Sequence, residues 1–384
     1  MGSYSAIAQD WVFEPLMHVE SDGSLRPALA SRTERIDRKS VRAWIRPDAT
    51  FSDGSAVTAK EVVDSLKSEG LDAYEQDGGF VIESKGPVFA DTQLARALVY
   101  KDAAGAPLGT GPFFVVEQDP SHLLLRRNRR LPNHIDEVLF RSFPSPREAF
   151  LRTLAEDVDG YPLIDLRQVE FFENVPRFRV VRGPSLNAIA VTFSTRRVDR
   201  DTRLALLSNL DSTELARLAY PEGCSPMQSE PVPFRPLPPG PRLKIAALVD
   251  LGTPFERMAL AVQRRLGPRA GEIERVTYAD YLQRVQTGDF DLMVEIPRAR
   301  PQSDMLLLWH SGKEVAHPYY SNARLDAALD AGDWVRALHE LAEDPPVAFI
   351  CLPERLAVVD ARIKNARIGP YGVLETLPDW EVER

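Results

Sequence analysis

The chain has 384 residues, 44% of them hydrophobic and 27% charged, with a formal net charge of −9. That length implies two or three domains, and the apolar share excludes wholesale disorder. No run of about eighteen apolar residues occurs, which excludes a transmembrane helix, and the acidic balance argues against a chain built to coat nucleic acid or anionic membrane.

Arginine outnumbers lysine 39 to 8, supplying many forked donors suited to carboxylates and phosphates. Proline, at 31 against 22 glycines, points to ordered loops and rigid turns. Cys224 and Cys351 lie far apart and form no framework; a bridge in an oxidising compartment stays open, with two separate thiols the favoured reading. Met1-Gly2-Ser3-Tyr4 lacks a basic region followed by an apolar one, so no secretory signal is expected in the chain as it stands.

Along the chain, Asp22-Gly23 reads as a turn between short apolar runs, with Pro27 opening a helical stub. Residues 40–46 alternate polar and apolar and read as a half-buried strand. Asp53-Gly54 is another tight turn, and Thr58 with Glu61 forms a capping box that opens a helix carrying Val62, Val63 and Leu66 on one face. Gly109-Thr110-Gly111-Pro112 precedes strands at 113–117 and 123–127, with Asp119-Pro120-Ser121-His122 as the turn between them. A strand over 135–140 and a helix over 147–156 follow, and 187–193 is apolar enough to be buried on both faces.

Helices are expected over 202–210 and 212–220, with Asp211 capping the second. Residues 225–241 hold seven prolines and read as an extended linker. Strands at Leu243–Leu248, 272–277 and 290–296 alternate with helices at 254–266 and 279–287, which predicts a mostly parallel sheet covered on both faces. Helices over 323–329 and Trp334–Glu343, a strand over 347–352 and a tail able to cross back to an earlier sheet complete the chain.

Catalytic motifs are missing: there is no G-x-S-x-G, HExxH, CxxC, P-loop or G-x-G-x-x-G. Gly109-Thr110-Gly111 precedes a strand, whereas a phosphate cradle needs a following helix N-terminus, so its role is structural. Glu156, Asp157 and Asp159 lack the ligand spacing of a calcium loop and read as a solvated helix end. His310, His317 and His339 match no common metal pattern and read as surface or cleft residues. The residues alone thus describe a multi-lobed α/β protein suited to binding rather than catalysis, with no cofactor or metal.

One string is specific: Arg46-Pro47-Asp48-Ala49-Thr50-Phe51-Ser52-Asp53-Gly54-Ser55-Ala56-Val57-Thr58-Ala59-Lys60-Glu61. It resembles the signature of family 5 extracellular solute-binding proteins, the peptide- and nickel-binding components of ABC importers. Pro27-Ala28-Leu29-Ala30, Gly109-Thr110-Gly111-Pro112-Phe113, Arg127-Asn128, Ile135-Asp136-Glu137-Val138, Phe290-Asp291-Leu292 and Tyr319-Tyr320-Ser321-Asn322 resemble further landmarks in order. The resemblance implies a two-lobed, periplasmic-binding-protein-like α/β fold of type II, cluster C-like, with the ligand enclosed between lobes. Lobe I is expected over 1–188 plus 352–384, with a reduced extra subdomain at about 31–108, and lobe II over 189–351.

Departures from the family pattern bear on the ligand. The usual first strand before Trp11 is absent, and the stretch from Ser65 to Gly109 is short. Where the family's peptide binders carry an aspartate for the peptide's amino group, this chain reads Ile296-Pro297-Arg298-Ala299-Arg300-Pro301, with Arg300 at the aspartate's place. An arginine there repels an ammonium and favours a carboxylate or phosphate. The alternatives are that Arg298 and Arg300 are solvated loop residues, or that the register shifts and Asp304 meets an amine. Trp309, Tyr319 and Tyr320 are candidate aromatic walls or, alternatively, core residues, and Asn187 bonds either ligand or backbone.

The resemblance therefore implies a non-enzymatic, monomeric receptor of an ABC import system, periplasmic or otherwise extracytoplasmic, with a membrane permease as partner and a peptide-like or anionic small ligand. It involves no nucleic acid. A ligand-sensing domain of a bacterial transcription regulator, which would be cytoplasmic, and a degenerate member that no longer binds are the alternatives.

Overall fold

The computed structural model describes residues 9–20, 24–85, 89, 92–103, 106–128, 134–220, 223–227, 233–248, 253–300, 302–312, 317, 319–369 and 372–383. The expected turn at Asp22-Gly23 lies outside them. The chain divides into two compact units: Met1–Lys85, Asp91–Pro184 and Arg355–Arg384 form the first, and Gly86–Ala90 with Ser185–Glu354 form the second. No helix among the described residues is long and apolar enough to cross a membrane.

In the first unit, Ala30–Arg35, Ser40–Ile45, Gly79–Glu83 and Asp72–Gln76 make an antiparallel sheet in that order. The two-residue turn Asp77-Gly78 joins the last two strands, and both residues have positive φ, at 49° and 73°. This is why Asp-Gly serves there. The helix Ala59–Ser68 opens as expected: Glu61 accepts the Thr58 backbone N–H at 3.0 Å and also its hydroxyl. Its buried residues Val62, Val63 and Leu66 share one face.

Pro27 does not open a helix. It ends the strand Leu25–Pro27, which pairs with Met17–Val19. A proline is tolerated there because a two-stranded sheet has a free edge for a residue with no N–H to donate.

The strands Phe113–Gln118, His122–Arg127 and Glu137–Arg141 form a second antiparallel sheet. Asp119 holds its turn by accepting the backbone N–H groups of Ser121 and His122 at 2.6 and 2.9 Å. The Gly109-Thr110-Gly111 segment is structural. A Cβ on Gly109 would strike the Val12 carbonyl and one on Gly111 the Trp11 carbonyl, and the Gly111 N–H bonds the Val12 carbonyl at 3.0 Å.

The returning chain, Arg355–Asp360, pairs with both Gly160–Tyr161 and Phe178–Gly183. Beside it, Glu156, Asp157 and Asp159 are exposed, as expected, and an arginine ties this turn to the strand. Arg177 donates to the Glu156 carbonyl at 2.6 Å, to Asp159 at 2.7 Å and to the buried Asp360 at 3.0 Å.

The second unit is built on a six-stranded sheet in the order Cys224–Pro226, Val347–Pro353, Ile189–Phe193, Leu292–Glu295, Leu243–Leu248, Ala270–Val276. It is mixed, which corrects the expectation of a mostly parallel sheet. The pairs made by Leu243–Leu248 are parallel, and the rest are antiparallel. The reason is topological: Ile189–Phe193 brings the chain into this unit and Val347–Pro353 takes it out, so these central neighbours run in opposite directions. The alternating strands and helices between them keep the parallel arrangement that their crossovers require.

Both faces are covered. Ile189, Val191 and Phe193 point into a core with the helices Arg200–Asn209, Ser212–Ala219 and Thr253–Leu266. On the other face, Ala190 packs with Gln302–Leu307, Ala323–Asp330 and Trp334–Glu343. Each fully buried aliphatic side chain in such a layer contributes about 1.5–3 kcal/mol.

Cys224 and Cys351 are joined by a disulfide, with their Cα atoms 5.6 Å apart, in place of two separate thiols. The short strand Cys224–Pro226 lies on the edge of the sheet beside Val347–Pro353, so pairing brings together residues 127 apart in sequence. Part of the proline-rich segment is therefore an edge strand.

Candidate functional site

The segment that follows the buried strand Leu292–Glu295 carries the residues of interest. Asn187 and Arg298 form an isolated antiparallel bridge, and the Ala188 N–H donates to the Pro297 carbonyl at 3.0 Å. The Leu186 carbonyl accepts the N–H groups of both Ala299 and Arg300, at 2.8 and 3.0 Å. The Ser185 hydroxyl accepts the Asn187 N–H at 3.0 Å. The stretch 296–300 is thus pinned by its backbone to the first residues of the second unit. Ala299 is buried while Arg298 and Arg300 are half-exposed, as expected where alternate residues of an extended backbone fall on opposite sides.

The aromatic candidates lie deeper. Trp309 is 1% exposed, Tyr320 3% and Tyr319 9%. Trp309 and Tyr320 meet edge to face at 5.8 Å within the core that includes Ala190. Tyr319 belongs to a separate cluster with Met293 and Phe290. His317 links the two groups: it stacks on Trp309 at 4.2 Å, and its Nδ1 lies 2.8 Å from the Tyr319 hydroxyl. His317 sits at φ 116°, a region that favours glycine, so the packing around it over-determines its backbone. His339 is exposed and His310 half-buried, with its imidazole 3.3 Å from Asp330, whereas His317 is buried rather than on the surface. The Trp309 indole N–H has no hydrogen-bond partner among the described residues.

The Tyr320 hydroxyl donates to the Asp344 carbonyl at 3.0 Å, and burial pushes its phenol up to about 12. Burial first, and the Glu295 carboxyl second, raise the Tyr319 and Tyr281 phenols well above their ordinary range, so both act as neutral hydroxyls.

Glu295 is the residue that sequence reasoning passed over. It is 1% exposed, accepts the Tyr281 hydroxyl at 2.6 Å and also accepts the Thr192 hydroxyl. The signal is a single acid ending the apolar run Leu292–Glu295. It sits immediately before the arginine-bearing segment, on the sheet face that carries Tyr319. The structure therefore brings Asn187 beside the segment that carries Arg298 and Arg300 and places Trp309, Tyr319 and Tyr320 in the packed layer. No group of three or more His, Cys, Asp and Glu among the described residues is arranged to hold a metal ion.

Residues 94–243 match the family model described as bacterial extracellular solute-binding proteins, family 5 Middle. Solved structures similar to the whole chain include AgaA from A. tumefaciens R10 in complex with agropinic acid, at 15% identity and a TM-score of 0.74, covering 98% of this chain and 94% of that one. The oligopeptide-binding protein AppA from Bacillus subtilis, in complex with a nonapeptide, is similar at 15% identity and a TM-score of 0.72, covering 100% and 95%. NikZ from Campylobacter jejuni, in complex with Ni(L-His), is similar at 16% identity and a TM-score of 0.74, covering 97% and 94%. No curated protein matches the chain in sequence. Residues 94–243 thus match the model of family 5 extracellular solute-binding proteins, and the whole chain has the fold of these solved structures.

Proposed function

We propose that the chain is the solute-binding receptor of an ABC import system, that its solute is anionic, and that Arg298 and Arg300 meet the solute's negative charge. The observation that carries the reading is the pinned segment 296–300, which holds two half-exposed arginines beyond the carboxyl end of a buried strand. Ligands of α/β proteins gather at such strand ends, and a guanidinium fork suits a carboxylate or phosphate. Asn187 offers a neutral amide beside them, and Trp309, Tyr319 and Tyr320 stiffen the layer behind. The relatives' solutes, as their structures name them, range from a nonapeptide to agropinic acid, so this fold accommodates solutes other than plain peptides.

The disulfide favours an oxidising, extracytoplasmic setting. It weighs against the cytoplasmic regulator, since such a protein works where thiols stay reduced. The receptor delivers its solute to a membrane permease and catalyses no step itself.

The test is a charge exchange. Arg300→Asp should weaken binding of small dicarboxylates and phosphates at least tenfold in a thermal-shift and calorimetric panel, and leave the fold intact by circular dichroism. A wild-type protein that prefers free-amine peptides over acids would refute the anionic reading while leaving the receptor reading in place.

A further inference from the structure

The first unit holds a cavity of about 600 Å3, apart from the segment just described. It lies among the sheet containing Glu137–Arg141, the helix Pro146–Leu154, the strand Arg355–Asp360 and the turn of helix Val373–Asp379. It opens to solvent on one side, and its volume is that of a small-molecule site. Its walls are mainly apolar, with Phe140, Phe143, Tyr161, Val358, Leu377 and Trp380 among them.

The charged groups at its margin are unequal. Asp159 is paired with Arg177 at 2.7 Å, Glu137 with Arg126 at 2.9 Å, and Asp119 is held by the Ser121 and His122 backbone. Arg141 has no carboxylate partner among the described residues. Among the described residues its guanidinium reaches only the Asp157 carbonyl, at 3.4 Å, and the Phe143 ring, at 5.3 Å. The Tyr161 hydroxyl likewise makes no hydrogen bond to the described residues. The acids have partners and the arginine has no acid among the described residues, so the margin has room for an anion, while the walls favour a hydrocarbon body.

We infer that this cavity is a second binding site that takes an amphipathic monocarboxylate, its apolar body against Phe140, Phe143 and Trp380 and its carboxylate at Arg141. An apolar body leaves water for these walls, and the charge-assisted bonds of a guanidinium are the strong ones available to its head. The site is independent of the import function proposed above.

The experiment uses the full chain, stripped of bound lipid, with dodecanoate and 1-dodecanol as probes in calorimetry. One dodecanoate should bind per chain. Arg141→Gln should weaken dodecanoate at least tenfold and change dodecanol less than threefold. Ala149→Trp, which fills the cavity from the helix Pro146–Leu154, should abolish both. If that variant unfolds by circular dichroism, Leu374→Trp fills the cavity from the opposite wall. No binding, equal binding of acid and alcohol to the wild type, or binding that persists in a folded cavity-filled variant would each overturn the inference.

Discussion

The second unit gathers its strands into one six-stranded sheet with apolar layers on both faces, whereas the described strands of the first unit fall into six sheets of two to four strands. A large sheet buries its central strands completely, as Ile189–Phe193 shows. Small sheets leave edges, and in the first unit arginine forks tie those edges together. Arg177 alone joins the Glu156 turn, Asp159 and the strand that carries Asp360. The arginine excess read from composition therefore has a structural use beside the proposed role in binding. The second unit also has a covalent staple at its edge strand. The two units should accordingly fail under different insults: reduction for the second, acid for the first.

The largest effect expected is that of the disulfide. Closing a loop of 127 residues is worth about 2–5 kcal/mol, mainly through the unfolded chain. Replacing Cys224 and Cys351 by serine should lower the melting transition of the second unit in calorimetry and leave that of the first nearly unmoved. Equal shifts of both would break the contrast.

Next comes Asp360, 2% exposed and bonded to Arg177 and Arg362. Asp360→Asn should cost the first unit about 2 kcal/mol at pH 7, the scale of hydrogen bonds to charged groups. The Arg362 guanidinium, and with it the Arg177 fork, holds the Asp360 carboxyl well below the usual carboxylate range. A carboxyl lowered in the folded state contributes stability that is present in full above its unfolded value of about 3.9 and is lost as the pH falls below it. Melting curves between pH 7 and pH 3 should show the first unit weakening in acid, and the asparagine variant should lose part of that slope. An unchanged slope would remove Asp360 from the account.

The smallest effect sharpens the comparison within the first unit. Thr58→Ala removes the hydroxyl half of the capping box on the helix Ala59–Ser68 and should cost about 1 kcal/mol. Denaturant unfolding would measure it. A cost above that of Asp360→Asn would mean that helix capping, rather than the arginine cross-links, limits this unit.

Local chemistry was legible in the sequence. The capping box at Thr58 and Glu61, the Asp119 turn, the Asp211 cap and the strand from Ser40 each depend on neighbours a few residues away, and the structure shows all of them, although Ser40 is buried and Ile45 only half-buried. What depends on distant pairing was not legible. The entry and exit strands make the sheet mixed, and the edge strand Cys224–Pro226 brings the two cysteines together. Pro27 failed as a helix start for the same reason, since its partner Met17 lies across a hairpin. At the candidate site, Arg298 and Arg300 were singled out through the resemblance, which puts Arg300 at the aspartate's place. The depth of Trp309, Tyr319 and Tyr320 was not, because aromatic residues serve a core and a ligand wall equally well. Glu295 was hidden because its partners, Thr192 and Tyr281, come from other elements.

Native mass spectrometry of the purified protein, reading the mass and charge of any solute that remains bound, tests the central claim most directly. A retained small acid that leaves when Arg300 is replaced by aspartate is the predicted result. Recovery of free-amine peptides, held equally well by both proteins, would contradict it.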